Sequence, residues 1–274
     1  MGNEVPDSLK RTLAGMHILV TRPQPQAQVL AQRLEEGGAR VTCLPAIVIE
    51  DVPDAEPAFQ IIDQLSEFYA AVFVSINAVE RGVAMVRQRG GWPPAVHCAA
   101  VGDATARTLE TLGITVDIRP TERFDSEGLL ATIALSAANV RGQRIAIFRG
   151  QGGRDVLATG LHERGARPEY VEVYRRALPQ GDVCEGDVSG VTAQMKAGAL
   201  DAVVVTSVEA LDNLFMLLGS EGRKALFEMT LLVPSQRIAE AARDKGVKRP
   251  PMIAANATDS ALVEKLRLWR SETA

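Results

Sequence analysis

Short apolar runs alternate with amphipathic segments along the whole chain. Runs such as residues 16–20, where only His17 is polar, and 202–205 are apolar, which is typical of strands buried on both faces of a parallel sheet. Between such runs, apolar residues recur at helical spacing, as at Ala27, Leu30 and Leu34. Alternating strands and helices predict an α/β protein built from parallel, doubly wound sheets.

The predicted elements follow one another at short intervals. We predict strands at residues 16–20, 41–50, 71–75, 96–101, 114–118, 145–148, 169–176, 202–205, 231–233 and 253–255. Helical patterns lie between most neighbouring strands, including one over residues 129–138, and a last helix is predicted over residues 259–270.

The two halves of the chain repeat each other. The strand–turn–helix–strand pattern of residues 17–50 returns at residues 144–178, and matching positions are separated by about 130 residues, a period that indicates two similar domains. The boundary then lies near residue 142, or else each domain takes one opening unit from the other end of the chain and two segments cross between domains. We interpret residues 44–50 and 169–176, which both end in charged residues, as an exposed two-stranded connector.

Composition narrows the class of protein. With 274 residues, 46% of them hydrophobic and 23% charged, the chain resembles an ordinary globular protein and exceeds one typical domain. A net charge of −4 argues against a general nucleic-acid binder. Residues 1–15 lack the apolar core of a signal peptide, and no apolar run approaches the ~18 residues of a membrane helix. We therefore expect a cytoplasmic protein with no membrane segment and with a loose N-terminal extension over residues 1–15.

Common cofactor and catalytic motifs are missing. The glycine-rich segment from Gly150 to Arg154 follows a strand, but Asp155 stands where the dinucleotide fingerprint needs its third glycine. The histidines are isolated from one another, the three cysteines form no CxxC pair, and neither a phosphate-binding loop nor a nucleophile elbow occurs. We predict no metal and no nucleotide cofactor, and a Rossmann-type oxidoreductase is the least favoured function.

Small polar residues recur where the predicted strands end. In open α/β sheets, ligands bind at the carboxyl ends of the strands, where helix N-termini attract anions. Serine, threonine and asparagine at those places are equally good helix caps, so each residue taken singly has a purely structural explanation. Together they predict an anion-binding cleft between two lobes, with arginines Arg22, Arg149 and Arg154 as charge partners. The candidate positions are Thr21-Arg22, Ser75 with Asn77, Gly102 with Thr105, Arg149-Gly150, Thr206-Ser207 and Ser235.

Tyr174 stands at the end of one segment that could cross between lobes. A tyrosine in a strand is usually only a good strand residue. Its place on the crossing segment also makes it a candidate hydroxyl donor to a ligand in the cleft.

Eight segments, in this order, resemble the uroporphyrinogen-III synthase family. The similarity spans about residues 17–267 and is carried by ILVTRP (18–23), FVSINAV (73–79), VGDATA (101–106), SEGLL (126–130), FRGQGGRDVL (148–157), GARPEYVEVYRR (165–176), VVTS (204–207) and VPSQRIAEAARDKG (233–246). Each segment alone is weak, whereas the ordered set is specific. The chain departs from the family's common pattern at Ile76, where proline is frequent, and at Pro234-Ser235, where a G-x-x-T turn is frequent.

The resemblance implies an architecture. Two similar flavodoxin-like lobes would be joined by a two-stranded connector, with the active-site cleft between them. Lobe 1 would comprise residues 1–46 and 177–274, and lobe 2 residues 47–176, with connector strands near residues 44–50 and 169–176.

The resemblance also implies a reaction. Hydroxymethylbilane, a linear tetrapyrrole, would be cyclised to uroporphyrinogen III with loss of water and inversion of the last pyrrole ring, without metal or cofactor. The family's favoured acid falls on Tyr174. Its cleft-facing hydroxyls and amides fall on Ser75, Asn77, Gly102, Thr105 and Ser207.

These implications set the expected partners. The chain is expected to act as a monomer on this small-molecule substrate, without nucleic acid or membrane, and to make at most a transient contact with the enzyme that produces hydroxymethylbilane. The alternative is a non-catalytic bilobed protein that binds an anionic, tetrapyrrole-like ligand.

Overall fold

A computed structural model of the chain describes residues 12–24, 26–179 and 187–273. The strands are β1 (His17–Val20), β2 (Arg40–Cys43), β3 (Val48–Glu50), β4 (Ala70–Phe73), β5 (His97–Ala100), β6 (Arg144–Gly150), β7 (Arg167–Ala177), β8 (Ala202–Val204), β9 (Thr230–Val233) and β10 (Met252–Ile253). The α-helices are α1 (Gln26–Glu36), α2 (Glu56–Asp63), α3 (Ile76–Gln88), α4 (Asp103–Thr111), α5 (Ser126–Leu130), α6 (Ala137–Val140), α7 (Val156–Glu163), α8 (Val188–Lys196), α9 (Val208–Leu217), α10 (Gly219–Phe227), α11 (Gln236–Asp244) and α12 (Asp259–Thr273). The chain is thus α/β, as the alternation of apolar and amphipathic segments predicts.

The chain divides into two compact units. One unit comprises Met1–Val48 and Ala177–Ala274, and the other comprises Ile49–Arg176. The first unit is thus made from both ends of the chain, and the second from its middle. Of the predicted N-terminal extension, residues 1–11 lie outside the described residues, whereas residues 12–15 form a turn in which Leu13 is fully buried.

The first unit is built on a five-stranded sheet of order β10-β9-β8-β1-β2. Its neighbouring strands pair in parallel throughout. Ile18 and Val20 on β1 pack in one buried cluster with Leu30 and Leu34 of α1. The spacing of the apolar residues in this helix therefore serves to cover one face of the sheet.

The second unit is built on a five-stranded sheet of order β3-β7-β6-β4-β5. Strands β4, β5, β6 and β7 pair in parallel. On one face the rings of Phe73 and Phe148 stack with centroids 4.5 Å apart. Val72 and Ile147 belong to a separate buried cluster on the opposite face. Both faces of the sheet are covered, which explains why the central strand β4 (AAVF) is apolar and buried at every position.

The strand predicted over residues 41–50 is wrong as a single element. The segment from Leu44 to Ile47 separates β2 of the first sheet from β3 of the second. Pro45 has no N–H to give to a ladder, and the Ala46 carbonyl accepts the side-chain amide of Asn213 at 2.9 Å. Apart from Pro45, residues 44–49 are apolar, much as in a buried strand, so the hydrophobic pattern alone did not reveal the break.

Three other predictions differ from the structure. Residues 114–118 form only an isolated bridge, because the Asp117 carboxylate, at 2.8 Å, accepts the Cys98 N–H that a strand would have bonded. The helix predicted over residues 129–138 is broken into α5, a 3₁₀ turn and α6, with Ser136 extended between the last two (φ −67°, ψ 155°). Helix α10 occupies a segment for which no element was predicted.

Among the described residues, none of the helices is both long enough and apolar enough to cross a bilayer.

Candidate active site

A cavity opens at the carboxyl ends of the strands of the second sheet. Its volume is about 320 Å³, and strands β4, β5, β6 and β7 all contribute their ends or the residues that follow them. This is the place where open parallel sheets bind ligands. The lining residues are Val74, Val101, Phe124, Asp125, Ser126, Ile147, Arg149, Gly150, Gly152, Gly153, Arg154, Leu157, Ala158, Tyr170, Tyr174 and Arg176.

Tyr174 is held by the neighbouring strand. Its ring is 1% exposed and lies against Gly150, where a Cβ atom would come within 2.5 Å of the ring. A shift of register brings this about: Arg149 pairs with Glu172, but Gly150 pairs with Tyr174, so that Val173 is passed over. The bulge explains why Val173 and Tyr174 both pack in the same buried cluster although they are adjacent on the strand. Only glycine at position 150 leaves room for the ring.

Ser75 links Tyr174 to a helix N-terminus. The Ser75 hydroxyl caps α3 by accepting the Ala78 N–H at 3.1 Å. The same oxygen is hydrogen-bonded to the Tyr174 hydroxyl at 3.2 Å. The Ser75 side chain therefore caps a helix, which is its expected structural role, and also contacts Tyr174, as expected of a site residue.

Arg149 is buried and bonded to its own loop. Its guanidinium is 7% exposed, donates to the carbonyl of Gly152 and to the Asp155 carboxylate, the latter at 3.1 Å, and lies 4.4 Å from the centroid of the Tyr170 ring. The Tyr170 hydroxyl donates to the same Asp155 carboxylate at 2.8 Å. Arginine, aspartate and tyrosine thus close a ring of contacts around the loop that follows β6.

Arg154 and Asp125 bring opposite charges to the lining of the cavity. Arg154 is exposed, unlike Arg149. Asp125 caps α5 by accepting the Gly128 N–H at 2.8 Å and also accepts from Arg123 at 2.6 Å. The Gly128 hydrogen bond, then Arg123 and the charge of Arg154, hold the pKa of Asp125 below its usual range. The lining is therefore mixed in charge.

Four predicted site residues, Ser75 and three others, lie near this edge of the sheet without lining the cavity. Asn77 stands in the first turn of α3, and Gly102 is the residue before α4, with extended backbone (φ −142°, ψ 161°). Thr105 is 6% exposed in the first turn of α4. Among the described residues, the lining of the cavity includes Arg149, Gly150, Arg154 and Tyr174 of the predicted set.

The remaining predicted residues belong to the first unit. Arg22 is 8% exposed, pairs with Asp259 and donates to the carbonyl of Ala257. Ser207 caps α9 by accepting the Ala210 N–H at 2.9 Å. Ser235 precedes α11 in the same extended conformation (φ −159°, ψ 154°), without a capping bond from its side chain. Each lies at the carboxyl end of a strand of the first sheet, as the sequence predicts.

Most residues of the lining were not predicted, among them Phe124, Ser126, Tyr170 and Arg176. Phe124 and Ser126 belong to the segment around the start of α5, and Tyr170 and Arg176 belong to β7. Ser126 lies in the segment SEGLL and Tyr170 in residues 165–176, and both segments resemble the family, which was the available signal for these two residues. The bond between Tyr170 and Asp155 had no signal in the sequence, because it depends on the course of the loop after β6.

The described residues offer no metal site. No group of three or more His, Cys, Asp or Glu side chains in that part of the chain is arranged to hold a metal ion. Cys98 is fully buried, and burial, followed by the charge of Asp117, raises the pKa of its thiol to about 12.

Known proteins with similar sequences cover nearly the whole chain. The family model described as uroporphyrinogen-III synthase HemD matches residues 28–264. A uroporphyrinogen-III synthase of Salmonella typhimurium is 33% identical over 255 residues, which are 92% of this chain and 100% of that relative. The Escherichia coli uroporphyrinogen-III synthase is 32% identical over 257 residues, again 92% of this chain and 100% of the relative.

Solved structures agree at the level of the fold. A mutant uroporphyrinogen III synthase from Thermus thermophilus superposes with a TM-score of 0.58 at 18% identity, covering 94% of this chain and 99% of that one. The enzyme from Helicobacter pylori gives a TM-score of 0.53 at 16% identity, covering 91% of this chain and 97% of that one. With the match to the family model and the two relatives, these findings show that the chain belongs to the uroporphyrinogen-III synthase family.

Proposed function

We propose that this chain is a uroporphyrinogen-III synthase that cyclises hydroxymethylbilane, with loss of water and inversion of the last pyrrole ring. The observation that carries the proposal is the match to the family model over residues 28–264. The relatives from Salmonella typhimurium and Escherichia coli bear the same enzyme name over their whole length. The reaction belongs to the biosynthesis of haem and other tetrapyrroles.

The chemistry suits a site without strong acids and bases. The linear substrate closes unaided to the isomer whose last ring is not inverted. An enzyme therefore has to hold the chain folded and favour one closure, which is a matter of positioning and of fit to the transition state. A cavity lined by glycines, aromatic rings and arginines is consistent with that task.

In this proposal Tyr174 is the acid that assists departure of the substrate hydroxyl. Its own hydroxyl is hydrogen-bonded to Ser75 at 3.2 Å and its ring is fixed against Gly150. A phenol can donate a proton but is a modest acid, so its loss slows the reaction without abolishing it.

The other predicted residues are proposed to bind substrate. Backbone N–H groups at helix N-termini and a few arginines would hold its carboxylates. This set comprises Arg22, Ser75, Asn77, Gly102, Thr105, Arg149, Gly150, Arg154, Ser207 and Ser235.

We further propose two similar flavodoxin-like lobes with the substrate cleft between them. The order β2-β1-β8-β9-β10 in the first sheet supports this, because it is the 2-1-3-4-5 order of doubly wound sheets when strands are counted within the unit. The proposed lobes are residues 1–46 with 177–274 and residues 47–176. Strands β3 and β7, which are neighbours in the second sheet, would serve as the connector.

The cellular setting is part of the proposal. We propose a monomer in the cytoplasm that meets the enzyme producing hydroxymethylbilane only transiently. Two thiols without disulfide partners, Cys43 and Cys98, are consistent with a reducing compartment.

Freshly prepared hydroxymethylbilane tests the activity directly. Purified protein should give uroporphyrinogen III, measured by chromatography of the oxidised porphyrins. Isomer I alone, formed at the uncatalysed rate, would reject the enzyme and leave a protein that only binds an anionic tetrapyrrole.

The Tyr174→Phe variant tests the proposed acid. We expect turnover to fall about tenfold to a thousandfold, toward or below the low end of the usual contribution of about 10²–10⁴-fold, because a phenol is a modest acid. Thermal unfolding should be nearly unchanged because the ring is retained. Wild-type turnover in this variant would remove Tyr174 from the mechanism.

A further inference from the structure

The loop between β6 and α7 carries two groups that the proposed reaction needs. Gly150 is the surface against which the Tyr174 ring rests, and Arg154 brings an exposed positive charge to the cavity. Between them, Gly152 and Gly153 have positive φ angles of 73° and 98°. Glycines are the most flexible residues of a chain, so this loop needs side-chain contacts to hold one conformation.

Those contacts come from outside the loop as well as from within it. Arg149, the residue before Gly150, donates to the carbonyl of Gly152, and a Cβ atom at Gly153 would lie 2.9 Å from the same guanidinium. The far end of the loop is held at Asp155, which accepts from Arg149 at 3.1 Å and from Tyr170 at 2.8 Å.

Tyr170 contributes in two ways. Its hydroxyl fixes the Asp155 carboxylate, and its ring lies under the guanidinium of Arg149 at 4.4 Å. A planar guanidinium can stack on a ring while its N–H groups point elsewhere, whereas a lysine ammonium cannot reproduce this geometry. The arrangement therefore depends on arginine and not only on positive charge.

We propose that Arg149, Asp155 and Tyr170 form a clamp that holds the Gly150–Asp155 loop in place, and that they act as positioning residues. The clamp keeps Gly150 against Tyr174 and directs Arg154 toward the cavity. The clamp replaces the substrate-binding role proposed above for Arg149: this residue works on the loop and not on a substrate carboxylate, because each of its three guanidinium nitrogens already donates to the protein. This inference rests on the proposed function for its kinetic consequences, but not for its effect on the loop.

Hydrogen–deuterium exchange measures the loop without any substrate. The Gln151 N–H donates to the Tyr174 carbonyl at 2.8 Å, so a loosened loop should exchange faster there. We expect the peptide covering residues 150–155 to exchange at least about fivefold faster in Tyr170→Phe, which loses a hydrogen bond to a charged group. Tyr69→Phe is the matched control, since its hydroxyl donates to the Ala134 carbonyl, outside the cavity.

Kinetics separates a clamp from a substrate ligand. We expect Tyr170→Phe and Asp155→Asn to lower kcat about tenfold, because Tyr174 is displaced, with Tyr69→Phe at the wild-type rate. Arg149→Lys should be as impaired as Arg149→Met, since lysine keeps the charge but not the planar fork.

Two results would overturn the clamp. One is unchanged exchange of residues 150–155 in Tyr170→Phe, and the other is an Arg149→Lys variant that keeps wild-type kcat and shows only a raised KM. Failure of the proposed function looks different: the wild-type protein then forms only isomer I, while the exchange experiment still decides whether the clamp exists.

Discussion

Gly150→Ala isolates the contact on which the position of Tyr174 depends. The added Cβ would lie 2.5, 2.6 and 2.9 Å from three atoms of the Tyr174 ring, distances that side chains do not tolerate. Gly150 and the ring are both buried, so the ring or the strand has to move. Gly150 has no positive φ angle, and the backbone itself can accept alanine.

The expected change in the folding free energy of Gly150→Ala follows from two opposing effects. Overpacking a buried site costs about 1–3 kcal/mol of folding free energy. Replacing glycine by alanine within a strand returns about 0.5–1 kcal/mol, because the unfolded chain loses freedom. We expect a net loss of about 1–2 kcal/mol, which lowers the midpoint of thermal unfolding by roughly 2–8 °C for a chain of this size.

Gly82→Ala provides the matched control. A Cβ at Gly82 would lie 2.6 Å from the Phe148 ring and 3.1 Å from the Phe73 ring. This buried site thus suffers a similar clash in the core of the same unit, and none of the three atoms nearest to the added Cβ belongs to Tyr174. Both variants should lose comparable stability, but only Gly150→Ala should lose turnover, by tenfold or more on the scale of about 1.4 kcal/mol per factor of ten.

The assay is conversion of hydroxymethylbilane to uroporphyrinogen III beside a thermal unfolding curve for each protein. If Gly150→Ala keeps the turnover of Gly82→Ala at equal stability, the position of the Tyr174 ring does not limit the reaction, and the reasoning fails.

Two further predictions concern single titratable groups. Burial raises the pKa of Cys98 to about 12, so iodoacetamide at pH 8 should leave this thiol unlabelled in the native protein and label it after denaturation, as peptide mass mapping would show; native labelling would contradict the burial. The pKa of Asp155 is held below its ordinary value, chiefly by the hydrogen bond from Tyr170 and then by Arg149. The ionised carboxylate stabilises the loop, and this stabilisation is lost as pH falls through the depressed pKa. Tyr170→Phe removes the hydrogen bond that chiefly lowers this pKa, so Asp155 should take up its proton at higher pH and the acid limb of kcat/KM should lie at higher pH than in the wild type. Superimposable pH profiles would contradict the role of Asp155.

The strands were predictable because burial on both faces removes polar residues from them. The runs at residues 16–20, 71–75 and 202–205 agree with β1, β4 and β8 within a residue or two at either end. Where a side chain replaces a backbone partner, the same reasoning failed, as at Asp117, whose carboxylate accepts a strand N–H. Hydrophobic periodicity carries no information about a side chain that takes the place of a backbone hydrogen-bond partner.

The candidate site was predictable in location more than in detail. Parallel strands all deliver their carboxyl ends to one edge of a sheet, and this rule led to Ser75 and Arg149 from sequence alone. Tyr174 was predicted from its place on a segment that could cross between lobes and from the family resemblance. The bulge between β6 and β7 could not be foreseen, because it depends on the pairing of Gly150 with a strand some twenty residues away in the chain. That bulge decides which face of the sheet Tyr174 joins.

The three predicted arginines show why residue type does not fix a role. A buried guanidinium has five N–H donors that must find acceptors. Arg22 and Arg149, both less than a tenth exposed, direct two and three of their N–H groups to Asp259, Asp155 and nearby carbonyls of their own unit. The guanidinium of an arginine at a buried strand end is thus already hydrogen-bonded within the protein without any ligand. Arg154, on an exposed loop, is not buried in this way. A polycarboxylate substrate should therefore depend more on Arg154 and on helix N-termini than on the two buried guanidinium groups.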